Sequence, residues 1–358
     1  MGTGCDHDAV LTARRIEISD VDDPFEFLYE QGLTDGLPVI PPTPGRVTHM
    51  LTGTCRAPDE VVVQVPPNLA PATVEKIAIN AVMAGCKAEY LPVVIAAAEA
   101  ACNETFNMHG VLATTYFLTP VIIVNGPIRS HIGVNCGMNC LGQGTRANAA
   151  IGRALQLLVR NIGGGRPGEV DRATLGNPGK YSFCFGENEE CSYWEPLHVE
   201  RGFEAESSVV TLFAGSGPIG ISDQLSRDAQ SLATTYGATI AAVTHAKAYE
   251  HGPVIVIVAP EHADTFHRDE WSKDDLRAAI QEVSARPIDE LIRTEQCAEG
   301  LPPELLSKLG SGTPVAKFAS QDDIVLVVAG GKAGKWGAVI QGWERRYGSA
   351  MTSRVIAD

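Results

Sequence analysis

The sequence predicts an α/β protein with buried, mostly parallel sheets flanked by helices, arranged as two similar α/β halves behind an extended N-terminal arm. Three observations carry this expectation. The β-branched runs TPVIIVNGPI (119–128) and GPVIVIVAPEH (252–262) are too apolar to face water, as in parallel strands covered on both faces. Strand-like and helix-period segments alternate in both parts of the chain. A hydrophobic fraction of 44% with 20% charged residues over 358 residues suits a large globular core spread over about two domains.

Residues 1–58 are rich in Pro, Gly and Asp and read as an arm that wraps the body or a neighbouring subunit of a homo-oligomer. Within it only Pro24–Gly32 looks helical, and LPVIPPTP is too proline-dense for a central strand. Residues 59–200 form the first predicted α/β domain. DEVVVQV is a strand, PPNLAP a turn, and ATVEKIAINAVMAGC a helix capped by Thr73; EYLPVVIAAAEAAC is a second helix with Pro92 in its first turn. The long segment 161–198 is too glycine-rich for an ordinary connection. Its aromatics (Tyr181, Phe183, Phe185, Tyr193, Trp194) predict an ordered loop that walls a site. Residues 201–358 form the second domain and repeat the grammar: SSVVTLF as strand, AGSGPIG as glycine turn, SDQLSRDAQSLATTYGATIAAV as helix, then two further buried strands ending in APEH and AGGKAGK. This is an internal repeat of architecture rather than of residues.

A net charge of -15 without any Lys/Arg-rich run argues against nucleic acid as a partner. No apolar run approaches the ~18 residues of a membrane span, and MGTGCDHDAVLTARRIEISD lacks the apolar core of a secretory signal. Nine cysteines, an odd number in a core-forming chain, suit mostly free thiols in a reducing cytoplasm. The expected partner is a small polar or anionic molecule.

In parallel sheets, ligands bind beyond the carboxyl ends of strands. Three such ends stand out: Asn125-Gly126-Pro127, Pro260-Glu261-His262 and Gly330-Gly331-Lys332. After the first comes CGMNCLGQGTRANAAIGRALQLLVR (136–160), where Gly142 and Gly144 free the backbone before a helix starts near Thr145. A helix N-terminus favours anions, and Arg146 in its first turn adds a bidentate grip. Arg146, Arg153 and Arg160 are spaced by seven, the stripe of any solvated amphipathic face. Cys136 and Cys140 fit soft-metal ligands, nucleophiles or small core residues. Cys140, just ahead of the glycine turn, is the better placed for thiolate chemistry. No CxxC occurs, which argues against structural zinc but leaves a single metal ion as a cofactor to consider. GSGPIG has dinucleotide-fingerprint spacing but carries Pro218, and GGKAGKW misses a phosphate loop at Ala329 and Trp336; Lys332 and Lys335 remain anion ligands. His109, His262 and Glu189, the last within the Glu187, Glu189, Glu190 cluster, are the acid/base candidates, and Asn125 completes the polar clamp.

Several phrases together, TDGLPVIPPT, VEKIAINAVMAGC, NGPI, GTRANAAIGRAL, GKYSFCFGENEE and PEHADTF followed by WSKDDLRAAI, resemble a bacterial protein family associated with UGSC-type (seleno)proteins, small partners bearing a selenocysteine or cysteine motif. The resemblance covers most of the chain and implies thiol, selenium or organosulfur chemistry; the UGSC motif itself is absent here. The expected function is hydrolysis or carbon–heteroatom lyase chemistry. The alternatives are an accessory subunit serving a thiol or selenol partner protein and a nucleotide-dependent enzyme.

Overall fold

The computed structural model describes residues 11–19, 21–249, 252–343 and 348–357. The chain divides into two compact units, residues 1–186, 201–214 and 349–358 in the first and 187–200 and 215–348 in the second.

In the first unit, α1 (Pro24–Glu30) starts where the Asp23 side chain accepts the Phe25 N–H. A second helix, α2 (Pro44–Leu51), was not foreseen: the proline-dense LPVIPPTP ends by placing Pro44 in a first helical turn, where a missing N–H costs nothing. The strands β1 (Val61–Val65) and β2 (Ala70–Thr73) pair only with each other, as an antiparallel ribbon. Thr73 then caps α3 (Val74–Ala84) by accepting the Lys76 N–H, and Gly85 ends it in the left-handed conformation. α4 (Leu91–Ala101) carries Pro92 in its first turn as expected. After α5 (Met108–Ala113) comes β3 (Thr119–Asn125), buried at every position. The short α6 (Ile128–Ile132) and long α7 (Arg146–Asn161) lead to β4 (Cys184–Gly186), which runs parallel to β3. Ile77, Ala81, Val94, Ile151, Leu155 and Leu158 are buried between α3, α4 and α7, each large aliphatic side chain contributing about 1.5–3 kcal/mol. Thr12 and Ala13 are tied to this core, donating to the buried Glu75 carboxylate at 2.9–3.1 Å.

α8 (Leu197–Glu200) belongs to the second unit. β5 (Val209–Ser222) supplies residues 209–214 to the first unit and 215–222 to the second. GSGPIG is therefore continuous strand and not the glycine turn predicted. No helix follows it directly, so the dinucleotide-fingerprint context is missing. The second unit continues with α9 (Ala229–Ala241), β6 (Val254–Val258), α10 (Pro260–Arg268), α11 (Lys273–Ser284), β7 (Arg286–Pro287), β8 (Pro314–Val315), β9 (Ile324–Val328) and β10 (Trp336–Gly342). Its sheet runs β5-β10-β6-β9, with β6 and β9 parallel and β10 antiparallel to both β5 and β6. Tyr236, Phe266, Leu276, Ile280, Leu326 and Val339 lie in its core, against which Trp194 and Trp271 pack. The chain returns to the first unit with β11 (Thr352–Val355), antiparallel to residues 209–212.

The sheet is thus mixed where a mostly parallel one was predicted, because the unforeseen strands β10 and β11 enter antiparallel. Among the described residues no single helix is long and apolar enough to cross a membrane. Cys55 is disulfide-bonded and seven cysteines are free, while Cys5 lies outside the described residues.

Gly152 shows how tightly α7 meets the β4 approach: a Cβ there would strike Ser182 Oγ and come within 2.8 Å of the Phe183 backbone nitrogen. Alanine gains about 1 kcal/mol of helix propensity, but overpacking against backbone costs about 1–3 kcal/mol. Gly152→Ala is therefore expected to lower the urea midpoint, and an unchanged or raised midpoint would refute this packing.

Candidate functional site

In the first unit the polar groups gather where β3 ends. Asn125 is fully buried, and Gly126 turns the chain with φ +82° so close to the Ser207 carbonyl that any side chain would collide. Ser208 Oγ accepts the Ile128 N–H at 3.0 Å, fixing the start of α6. α6 carries Arg129, only 4% exposed, whose Nη1 lies 3.8 Å from the sulfur of the half-buried Cys136. Gly186, at the end of β4, leaves room for them: a Cβ there would sit 3.3 Å from both Arg129 Cδ and Cys136 Cβ.

Two asparagines hold the 135–140 turn. Asn148 on α7 accepts the Asn135 N–H at 2.8 Å and donates to the carbonyls of Asn135 and Cys140 at 2.9 and 3.2 Å. Asn135 in turn accepts the Gly137 N–H at 2.9 Å and donates to the Met138 carbonyl at 3.0 Å. Cys140, favoured from sequence, is 5% exposed in this turn. A guanidinium beside a partly exposed cysteine favours thiolate, and Cys136 has one in Arg129. Sequence spacing gave no sign of it, since Arg129 precedes Cys136 by a full helix and turn.

The other expected members of this unit separate. Arg146 is exposed and donates through Nε to the Gly85 carbonyl at 2.8 Å, stabilising the end of α3. His109 is exposed on α5. Arg153 grips Asp35 with two bonds of 2.7 and 2.8 Å. Burial alone would raise the Asp35 carboxyl, but Arg153 outweighs it and holds the group below its ordinary value. Arg160, expected on a solvated face, is half-buried and lines a cavity of about 550 Å³. The predicted wall loop does line this cavity, from Gly165 to Tyr181, but beside Thr119, at the opposite end of β3 from Asn125.

In the second unit two of the predicted strand tips meet. The Ala329 N–H donates to the Val258 carbonyl at 3.2 Å, and the Gly334 N–H to the Glu261 carboxylate at 2.8 Å. The Asn188 N–H reaches the Val328 carbonyl at 2.7 Å, bringing Glu189, which opens a short 3-10 turn, to the same edge. Lys332 is exposed there, and the Lys335 carbonyl accepts from Gln224 at 2.7 Å. His262 faces inward and is 2% exposed. Its Nδ1 lies 2.9 Å from the Tyr236 hydroxyl and its Nε2 3.1 Å from the Asp223 carbonyl oxygen. Both ring nitrogens are engaged within the fold. Burial pushes its pKa down. Burial would raise the Asp223 carboxyl, but bonds from Thr235, Ser226 and Leu225 bring it to about 2.

Among the described residues no three His, Cys, Asp or Glu side chains gather as a metal ion would require. No protein-family model, curated protein or solved structure matches the chain.

The two shifts in the Asp223–His262 network act in one direction. Protonating His262 is harder in the folded chain than in the unfolded one, so its contribution to stability is complete above about pH 6.5 and declines below it. The Asp223 contribution is present above about pH 4 and is lost as pH falls towards about 2. Acidification from about pH 7 to about pH 5 should therefore lower stability less steeply in His262→Gln than in the wild type. Urea denaturation across this range tests it, and equal slopes would show that His262 does not titrate as argued.

Proposed function

We propose that the chain is an enzyme that hydrolyses a small anionic organic molecule, with Cys136 as nucleophile at the carboxyl ends of β3 and β4. One observation carries the reading: the nearly inaccessible Arg129 guanidinium stands 3.8 Å from the sulfur of Cys136, which is itself partly exposed. Away from bulk water this charge stabilises thiolate far more than a surface arginine could. Of the two reaction classes expected from sequence, hydrolysis uses a nucleophilic thiol directly. The Sγ thiolate bonds to the substrate's acyl carbon as the carbon–heteroatom bond breaks, and the leaving group takes its proton from a water molecule. The hydroxide so formed cleaves the thioester, releasing the acid and restoring the thiolate. The Asn135–Asn148 bonds hold the loop so that Sγ stays in place, which is where orientation contributes to rate. The resemblance to a family associated with UGSC-type proteins also favours thiol chemistry. The nucleotide-dependent alternative loses one of its two supports, because GSGPIG lies within β5; the GGKAGK loop is the other.

Against a panel of small carboxylate-bearing esters, thioesters and amides, Cys136→Ser should lower turnover by about a thousandfold or more, while Cys140→Ser stays within about threefold of wild type. Arg129→Gln should move the pH profile of Cys136 alkylation by iodoacetamide to higher pH than in the wild type. Undiminished turnover in Cys136→Ser, or an alkylation profile indifferent to Arg129, would remove the basis of this reading.

A further inference from the structure

The cavity at the far end of β3 carries an unbalanced charge. We infer that it is a second ligand site, for a small carboxylate with an apolar body, separate from the Cys136 region. Arg160 lies in the last turn of α7, and its guanidinium has no hydrogen-bond or ion-pair partner among the described residues, although its Nε is buried from solvent. The α7 carbonyl end favours a cation nearby, but it does not satisfy those donors. Burial, and then the charge of nearby Arg166, push the Arg160 pKa down. Arg166, packed against Gly32, likewise has no side-chain partner among the described residues.

The acids near Arg160 leave its charge unmatched. Asp35 is held bidentately by Arg153, and Asp171 takes both its oxygens' contacts from Lys180 at 2.7 Å. Glu169 and Tyr29 act on Arg160 only through space. The neutral polar lining is also committed. Gln156 donates to Thr119 Oγ1, Thr119 donates to the Gly179 carbonyl, and Asn177 donates to the Phe117 carbonyl. What remains is one cation with free donors facing a space lined by Met108, Val111, Leu112, Leu118 and Leu175. The volume of about 550 Å³ falls in the ordinary range of small-molecule sites. Arg166 does not line the cavity, and one planar guanidinium in an apolar chamber matches a carboxylate with a hydrocarbon or aromatic body; a doubly charged phosphate would bring more charge than the lining balances.

The test is calorimetric titration of the full-length protein with hexanoate, hexanamide and inorganic phosphate, repeated with Arg160→Met and Arg160→Lys. Arg160 has no side-chain hydrogen-bond partner among the described residues, so both variants should keep the wild-type circular dichroism spectrum. Hexanoate is expected to saturate one site, with hexanamide at least about tenfold weaker, phosphate weaker still, Arg160→Met at least about tenfold weaker than wild type and Arg160→Lys between the two. Equal affinity for hexanoate and hexanamide, undiminished binding by Arg160→Met, preference for phosphate, or no saturable binding of hexanoate would each overturn the inference. The hexanoate-to-hexanamide ratio in the wild type decides the matter even if a variant fails to fold. Cys136→Ser should bind hexanoate as the wild type does, which keeps this result independent of the proposed hydrolysis.

Discussion

The burial of β3 is the constraint on which the first unit depends. All seven residues from Thr119 to Asn125 are shielded from water, so nothing with exposed polar chemistry can sit along the strand's length. Polar groups are pushed to its two ends, and each end solves the problem differently. At the carboxyl end a glycine turn, Gly126, admits Ser207 and Ser208 against the backbone and starts the helix that carries Arg129. At the amino end Thr119 is drawn into bonds with Gln156 and Gly179, and the rest of the space is left apolar around Arg160.

The three arginines of α7 show what a helical stripe does and does not determine. Seven-residue spacing places Arg146, Arg153 and Arg160 near one line of the helix, yet each meets a different environment. Arg146 meets the end of α3, Arg153 a carboxylate 118 residues earlier in the chain, and Arg160 a chamber in which its side chain has no hydrogen-bond partner among the described residues. A helix of 16 residues spans roughly 24 Å, longer than any single neighbour, so residues on one face need not share surroundings.

This explains much of what the sequence made legible. The uniformly apolar runs became buried strands, and the Thr73 cap and the first-turn Pro92 started helices where read. These signals are local: they depend on a few adjacent residues. The failures all depend on partners remote in sequence. Ala214 to Gly220 looked like a turn because its glycines and Pro218 weaken a strand, but pairing with β10 keeps it extended. β10 and β11 went unseen because WGAVIQG and TSRV are short and irregular, and antiparallel pairing rather than composition makes them strands. His262 looked available at a strand tip, whereas the following helix turns its ring inward to Tyr236 and Asp223.

A chain of net charge -15 can still hold a local excess of cations, because net charge acts over distances that salt cuts to about 8 Å. Inside a cavity the immediate neighbours decide the field. Asp35 and Asp171 would be the natural counterions of Arg160, and Arg153 and Lys180 already neutralise them. These two largely buried ion pairs therefore have a second effect: by occupying the acids' hydrogen-bonding oxygens, they leave Arg160 with only through-space attraction to Asp35 and Glu169. Around Arg129 depth matters as well, since its guanidinium is 4% exposed and lies 3.8 Å from the Cys136 sulfur, with little water between to screen the contact. The two ends of β3 thus hold their arginines in different ways, Arg129 at depth beside a sulfur and Arg160 on the wall of an apolar cavity.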